Sequence, residues 1–181
     1  MKKLKKEHFC YGAILTAIME FNPDANFVLL QRNDDSRKMY RIETATSKEC
    51  VIYFKYAFET PTKPQSWSFQ FSDEEKSCLK SCHAKRIPTF IYLLCGMPSL
   101  KDSEIAVLRY DEFNEVSDKI NIKLSLKKND RYFSLARGKI ADNAIHIPRH
   151  RIEKTFDYLI DDIVKISHNY YCPNCGTKIT T

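Results

Sequence analysis

The sequence predicts a mixed central β-sheet flanked by helices, an α+β or α/β fold, and three observations carry that expectation. Near the start, Tyr11, Ile14, Leu15, Ile18 and Met19 recur at helical spacing and form one apolar stripe on an amphipathic helix. Three runs rich in β-branched and aromatic residues follow, separated by turn residues, as in a strand meander. The run Thr89 to Cys95 is apolar on both of its alternating faces, which predicts a strand buried at the middle of a sheet. With 181 residues, 43% of them hydrophobic, the chain has material for one core and is short for two ordinary domains. Residues 1–170 are therefore expected to form one domain and 171–181 a small appended tail.

The elements follow in order. Asn22-Pro23-Asp24 ends the first helix, Phe27 to Leu30 begins a strand, and Asn33-Asp34-Asp35-Ser36 turns the chain. Lys38 to Thr46 and Cys50 to Phe58 complete the meander. Pro61 and Pro64 mark a loop, and Trp67 to Phe71 alternates like a short strand. Ser72 and Glu75 then make a capping box for a helix reaching about Lys85. After the buried strand come a strand over Ile105 to Tyr110, a helical turn over Asp111 to Val116, and a hairpin of Ile120–Leu126 and Tyr132–Ala136 around Lys127-Lys128-Asn129-Asp130. Pro148 opens a C-terminal helix with Ile152, Phe156, Leu159, Ile160 and Ile163 on its buried face.

Composition narrows the function. Only Gly12, Gly96, Gly138 and Gly176 occur, so neither a phosphate-cradling Walker loop nor a dinucleotide-binding fingerprint can be assembled. The basic start followed by an apolar stretch imitates a secretory signal, but Glu20-Phe21-Asn22-Pro23 offers no small-residue cleavage site. The longest uncharged run, Ile87 to Leu100, is too short to span a bilayer and is interrupted by Pro88 and Pro98. An odd count of 7 cysteines argues against a full disulfide framework and for a reducing, cytoplasmic setting. The net charge of +6 is compatible with a polyanionic partner and equally with plain solubility.

The order helix, three strands, helix, strand over roughly residues 7–95 resembles the core of the PD-(D/E)XK nuclease-like superfamily, the restriction-endonuclease-like fold. The resemblance implies a sheet whose second and third strands bear metal-binding acids and a lysine that positions or activates the attacking water. On this chain the lysine corresponds to Lys55, the second-strand acid to Glu43, and the auxiliary helical acid of some members to Glu20. Two residues before Lys55, where an acid is expected, stands Tyr53, a neutral phenol and a poor ligand for a hard cation. Glu49 shares the face of Tyr53 and Lys55 but lies about 13 Å of strand from Tyr53. The resemblance therefore implies a degenerate site, with Mg or Mn involved only if cleavage survives. Without it, Glu43 and Lys55 reduce to a cross-strand ion pair.

Cys172-Pro173-Asn174-Cys175-Gly176 has the form of half a tetrahedral zinc site. Cys78 and Cys82, four apart on the second helix, are the expected other half, with His83 beside them and His168 as a rival ligand. One structural zinc per chain is expected, or one per homodimer if each chain donates only its knuckle. Cys78 and Cys82 also suit small apolar filler, and Cys10, Cys50 and Cys95 read as buried thiols. Arg149, Arg151 and Lys154 at the start of the last helix, with Arg131, Arg137 and Lys139 on the preceding hairpin, form a candidate phosphate-binding patch, with Tyr132 or Phe133 available to stack bases. The alternative for the arginines is pairing with local acids. Two functions follow: a nuclease-like protein that binds nucleic acid without efficient cleavage, or a zinc-stabilised inhibitor or adaptor that holds another protein.

Overall fold

The computed structural model describes residues 3–23, 26–29, 38–43, 49–58, 65–137 and 143–156. Helix α1 (Lys6–Phe21) precedes the antiparallel strands β1 (Asn26–Leu29), β2 (Lys38–Glu43) and β3 (Glu49–Phe58). Then come β4 (Gln65–Gln70), α2 (Asp73–Ala84), β5 (Thr89–Gly96) and β6 (Glu104–Arg109). The remainder is α3 (Tyr110–Asn114), β7 (Asn121–Leu126), β8 (Tyr132–Leu135), β9 (Ile145–Pro148) and a 3-10 turn over Arg149–Lys154.

The first sheet has the order β1-β2-β3-β5-β6 and is mixed, because β3 and β5 run parallel while the other pairs are antiparallel. A parallel pair needs a crossover, and β4 with α2 supplies it. Both faces of β3 and β5 are buried, as the unbroken apolar run from Thr89 predicts. Cys50, Ile52, Phe54, Phe90 and Tyr92 face α1. Val51, Tyr53, Ile91, Leu93 and Cys95 face the opposite core. On α1 the buried stripe is Cys10, Tyr11, Ile14 and Ile18, whereas Met19, expected on it, is exposed.

That opposite core is roofed by a second sheet the sequence did not announce. Its order is β4-β7-β8-β9, antiparallel throughout. The expected Trp67 strand is its edge, and the hairpin is its centre. Inward residues Trp67, Phe69, Ile122, Leu124, Phe133 and Ile147 pack onto the first sheet, and alternation sends the intervening polar residues outward. The two sheets are stitched where the Trp67 indole N–H donates to the Gly96 carbonyl at 3.0 Å. Glycine is required at 96, since a Cβ there would stand 2.9 Å from the Phe58 ring. The β7–β8 turn uses Asn129 at φ 68°, a left-handed position that asparagine tolerates.

One expectation is corrected in part. The chain turns helical after Pro148, but as a 3-10 turn over Arg149–Lys154 that becomes α-helical only at Thr155 and Phe156. Pro148 itself also ends β9, an edge strand paired only with β8, where a missing N–H costs no ladder bond. Ile152 and Phe156 are half-buried against the α1 side of the core as expected. Leu159, Ile160, Ile163 and the 171–181 tail lie outside the described residues. Among the described residues no helix is long and apolar enough to cross a membrane.

Candidate functional site

Lys55 lies on the face of β3 that carries Tyr53, and there it meets a carboxylate from α2. The link is local chemistry at the start of that helix. The Ser72 hydroxyl oxygen accepts from the Glu75 N–H at 3.2 Å, and Glu75 turns back so that Oε2 accepts from the Ser72 N–H at 2.8 Å. The capping glutamate is 5% exposed. The Tyr53 hydroxyl donates to its Oε1 at 2.6 Å, and Lys55 Nζ donates to Oε1 at 2.9 Å and Oε2 at 2.7 Å. Lys55 Nζ also stands 4.7 Å from the centre of the Phe71 ring. The cluster floors an open depression of about 630 Å³ that Ser72, Lys76 and Ile120 help to line.

Burial pushes the Glu75 carboxyl up, but the hydrogen bonds from Lys55, Tyr53 and Ser72 outweigh it and hold the group below its ordinary value. Four hydrogen bonds occupy the four lone-pair directions of the carboxylate, leaving none aimed at a hard cation. Lys55 is likewise committed, with its ammonium shared between the two oxygens of one acid. The cluster is a hydrogen-bonded ion pair with every lone-pair direction of its carboxylate in use.

The acids matched to the nuclease pattern do not converge on Lys55. Glu43 is exposed and pairs in register with Glu49, six residues or about 20 Å of strand away from Lys55. Glu20 belongs to α1, which packs on the other face of the sheet, against Ile52 and Phe54. The carboxylate that does reach Lys55, Glu75, was legible in the sequence only as a helix cap.

Cys78 and Cys82 share one face of α2 as their spacing requires, both half-buried, with Cys82 Sγ 3.9 Å from Met39 Sδ. Burial, and beyond it the neighbouring Cys78, push the Cys82 thiol up. Among the described residues no cluster of three or more His, Cys, Asp or Glu is placed to hold a metal. His83 is turned toward α3, stacked on Tyr110 with ring centroids 4.2 Å apart. Cys172, Cys175 and His168 lie outside the described residues.

The basic patch expected at the last helix is largely neutralised within the fold. Arg151 has a side chain only 7% exposed. It forks onto Glu112, with Nη2 to Oε1 at 2.8 Å, and donates to the Val107 carbonyl at 2.9 Å. Glu112 is itself the capping-box residue of α3, accepting from the Arg109 N–H at 2.8 Å. Arg149 is held by both oxygens of Glu104 at 2.7 Å, and Arg137 pairs with Glu115. Lys154 is exposed, and Lys139 lies outside the described residues. Arg149–Lys154 is a six-residue 3-10 turn, so α-helix starts no earlier than Thr155, not at Arg149 and Arg151 as expected.

Of the expected patch Arg131 remains, together with lysines the sequence reading did not single out. Lys123 projects from the outer face of β7, and Lys127, Lys128 and Arg131 flank the β7–β8 turn, all exposed. Among the described residues, none of the four has a carboxylate partner within ion-pair distance. The only acid in their turn is Asp130, whose backbone carbonyl is occupied by Arg149. On the same outer face stand Tyr132, 44% exposed, and His146, exposed on β9, with ring centroids 6.1 Å apart and planes inclined by 47°. Phe133, the other stacking candidate, is fully buried. Alternation along Tyr132-Phe133 was the signal that one ring points out and one in, and the outward Lys123 obeys the same rule.

No known family matches the chain, and no curated protein or solved structure is significantly similar to it. Fold and surface together define a class by geometry alone: a two-sheet α+β protein that neutralises its buried cations and leaves one sheet face basic and aromatic.

Proposed function

We propose that the protein binds nucleic acid without cleaving it efficiently, a nuclease-like core with a degenerate metal site serving as scaffold. The observation that carries this reading is the group Lys123, Lys127, Lys128 and Arg131, four exposed cations around one sheet face with no carboxylate partner among the described residues. Cations already paired inside a fold must give up a partner to hold a phosphate, whereas these four do not. The absence of cleavage follows from Glu75 occupying Lys55, and from Glu43 and Glu20 lying elsewhere.

Anisotropy titrations with labelled oligonucleotides over a salt series test the reading. Wild type is expected to bind at low salt with little sequence preference, and to leave plasmid and single strands intact in Mg or Mn. Replacing Lys127, Lys128 and Arg131 together by alanine is expected to lower the slope of log affinity against log salt by about 2 to 3. No binding at low salt would refute the reading, and salt-insensitive binding to a protein would favour the adaptor alternative. Robust cleavage lost in Lys55→Ala would overturn the degenerate site.

We also propose a structural zinc. Cys78 and Cys82 supply only two thiol donors on α2, and the Cys172–Cys175 knuckle supplies the complementary two. Metal analysis of reduced, chelator-free protein is expected to give about one zinc per chain, or one per dimer. Cys172→Ser with Cys175→Ser is expected to abolish it. Zinc retained after Cys78→Ser and Cys82→Ser would remove those two as ligands.

A further inference from the structure

We infer that the outer face of the second sheet is a stacking platform for unpaired bases, so that the ligand is single-stranded nucleic acid and Tyr132 is the principal stacking residue; this rests on the nucleic-acid reading above. The registers place Ser66, Ser125, Ser134 and His146 in one row across all four strands, Ser66 opposite Ser125, Ser125 opposite Ser134, and Ser134 opposite His146. At about 4.8 Å per strand the row spans roughly 14 Å. Three of its four members are serines, so the floor is low and polar. Tyr132 stands beside the row, opposite Pro148, another side chain too short to cover the ring.

The platform meets the chemical demands of a single strand. Its outward rings offer π-faces, the Ser125 and Ser134 hydroxyls can donate to or accept from base edges, and Lys123 with the hairpin cations lies alongside for the phosphates. The bases of a duplex are already stacked on one another inside the helix, so only an unpaired base can lie on Tyr132. A surface that recognised phosphates alone would need the cations and not the rings. The inclination between Tyr132 and His146 leaves them unstacked on each other, so neither ring's face is consumed by its neighbour.

The experiment compares labelled single-stranded RNA, single-stranded DNA and a duplex of equal length, with wild type, Tyr132→Ala, Tyr132→Phe and Tyr132→Leu. Wild type is expected to prefer single strands. Tyr132→Ala and Tyr132→Leu are expected to weaken single-strand binding at least about fivefold, with duplex binding unchanged and Tyr132→Phe close to wild type. The two single-stranded arms identify which sugar the platform takes. Far-ultraviolet dichroism is expected to match wild type, since the Tyr132 side chain lies outside the core. Equal affinity for single strand and duplex, or a Tyr132→Ala variant that binds single strands like wild type, overturns the stacking platform and leaves phosphate binding by the hairpin standing. No binding by wild type to any of the three overturns both readings.

Discussion

Two basic regions lie close together in this molecule and behave oppositely. The segment from His146 to Lys154 carries Arg149, Arg151 and Lys154 beside two histidines, yet its arginines are absorbed into the architecture, Arg151 by Glu112 and Arg149 by Glu104. The β7–β8 hairpin carries Lys123, Lys127, Lys128 and Arg131, and its cations face water without carboxylate partners among the described residues. A run of basic residues therefore says little about binding until its acids are found. Here those acids come from β6 and α3, about 40 residues upstream. Glu112 and Glu75 share one device: each closes a capping box with one oxygen and uses the carboxylate to hold a cation from another element. On the proposed reading, nucleic-acid binding and stability fall to different cations, and substitution can separate them.

The largest effect is expected at Arg151. Alanine there leaves Glu112 half-buried without its counter-ion and removes the donor to the Val107 carbonyl. Breaking one side of such a pair costs about 3–5 kcal/mol. Urea denaturation is expected to show a loss of that size, and a loss under 1 kcal/mol would mean Arg151 is as dispensable as a surface cation.

Lys55→Met is expected to cost less, about 2 kcal/mol near neutral pH, since Tyr53 and Ser72 still hydrogen-bond the carboxylate. Its pH dependence is the sharper readout. In the folded state the Glu75 carboxyl is held below its ordinary value of 4.5, so the unfolded chain binds more protons across the acid range. The stabilisation is therefore complete above about 4.5 and is lost as pH falls through the folded value. Removing Lys55 takes away the strongest force lowering that value while burial still pushes it up. The gap between wild type and Lys55→Met should accordingly narrow on acidification through this window. A gap constant from neutral pH to pH 3 would exclude Glu75 as the group involved.

These contrasts explain what the sequence could and could not reveal. Elements defined by local chemistry were legible: Ser72 and Glu75 marked the start of α2, and unbroken apolarity marked β5 as buried on both faces. Membership of a sheet was not. The alternation Trp67-Ser68-Phe69 announces a strand with one buried face and says nothing about which partner it joins. The short Ile145-His146-Ile147 alternation was too brief to separate from the proline that follows, so β9 was missed. The site shows the same limit. Lys55 stood out because the resemblance places a lysine on the third strand, but its partner lies 20 residues on, in a helix whose glutamate already had a sufficient local role. Phe133 and Tyr132 could be sorted into inward and outward only once the hairpin register was fixed.

The smallest effect is expected at Arg149, and it bears most directly on the comparison of the two basic regions. Its guanidinium makes two good hydrogen bonds to Glu104 and one to the Asp130 carbonyl, but the side chain is 41% exposed and that of Glu104 28% exposed. Exposed pairs of this kind contribute about 0.2–1 kcal/mol even when bidentate, because water and salt compete for both charges. Arg149→Ala is therefore expected to lower stability by no more than about 1 kcal/mol, and by less at high salt. Its effect on nucleic-acid affinity is expected to be smaller than that of Lys128→Ala, although arginine is the better phosphate ligand. The reason is that a phosphate at Arg149 must displace Glu104, whereas one at Lys128 displaces only water. Paired anisotropy titrations of the two single variants at one salt concentration decide the matter. A larger affinity loss for Arg149→Ala would mean that the ion pair opens on binding, and it would move the nucleic-acid interface from the hairpin to the 3-10 turn.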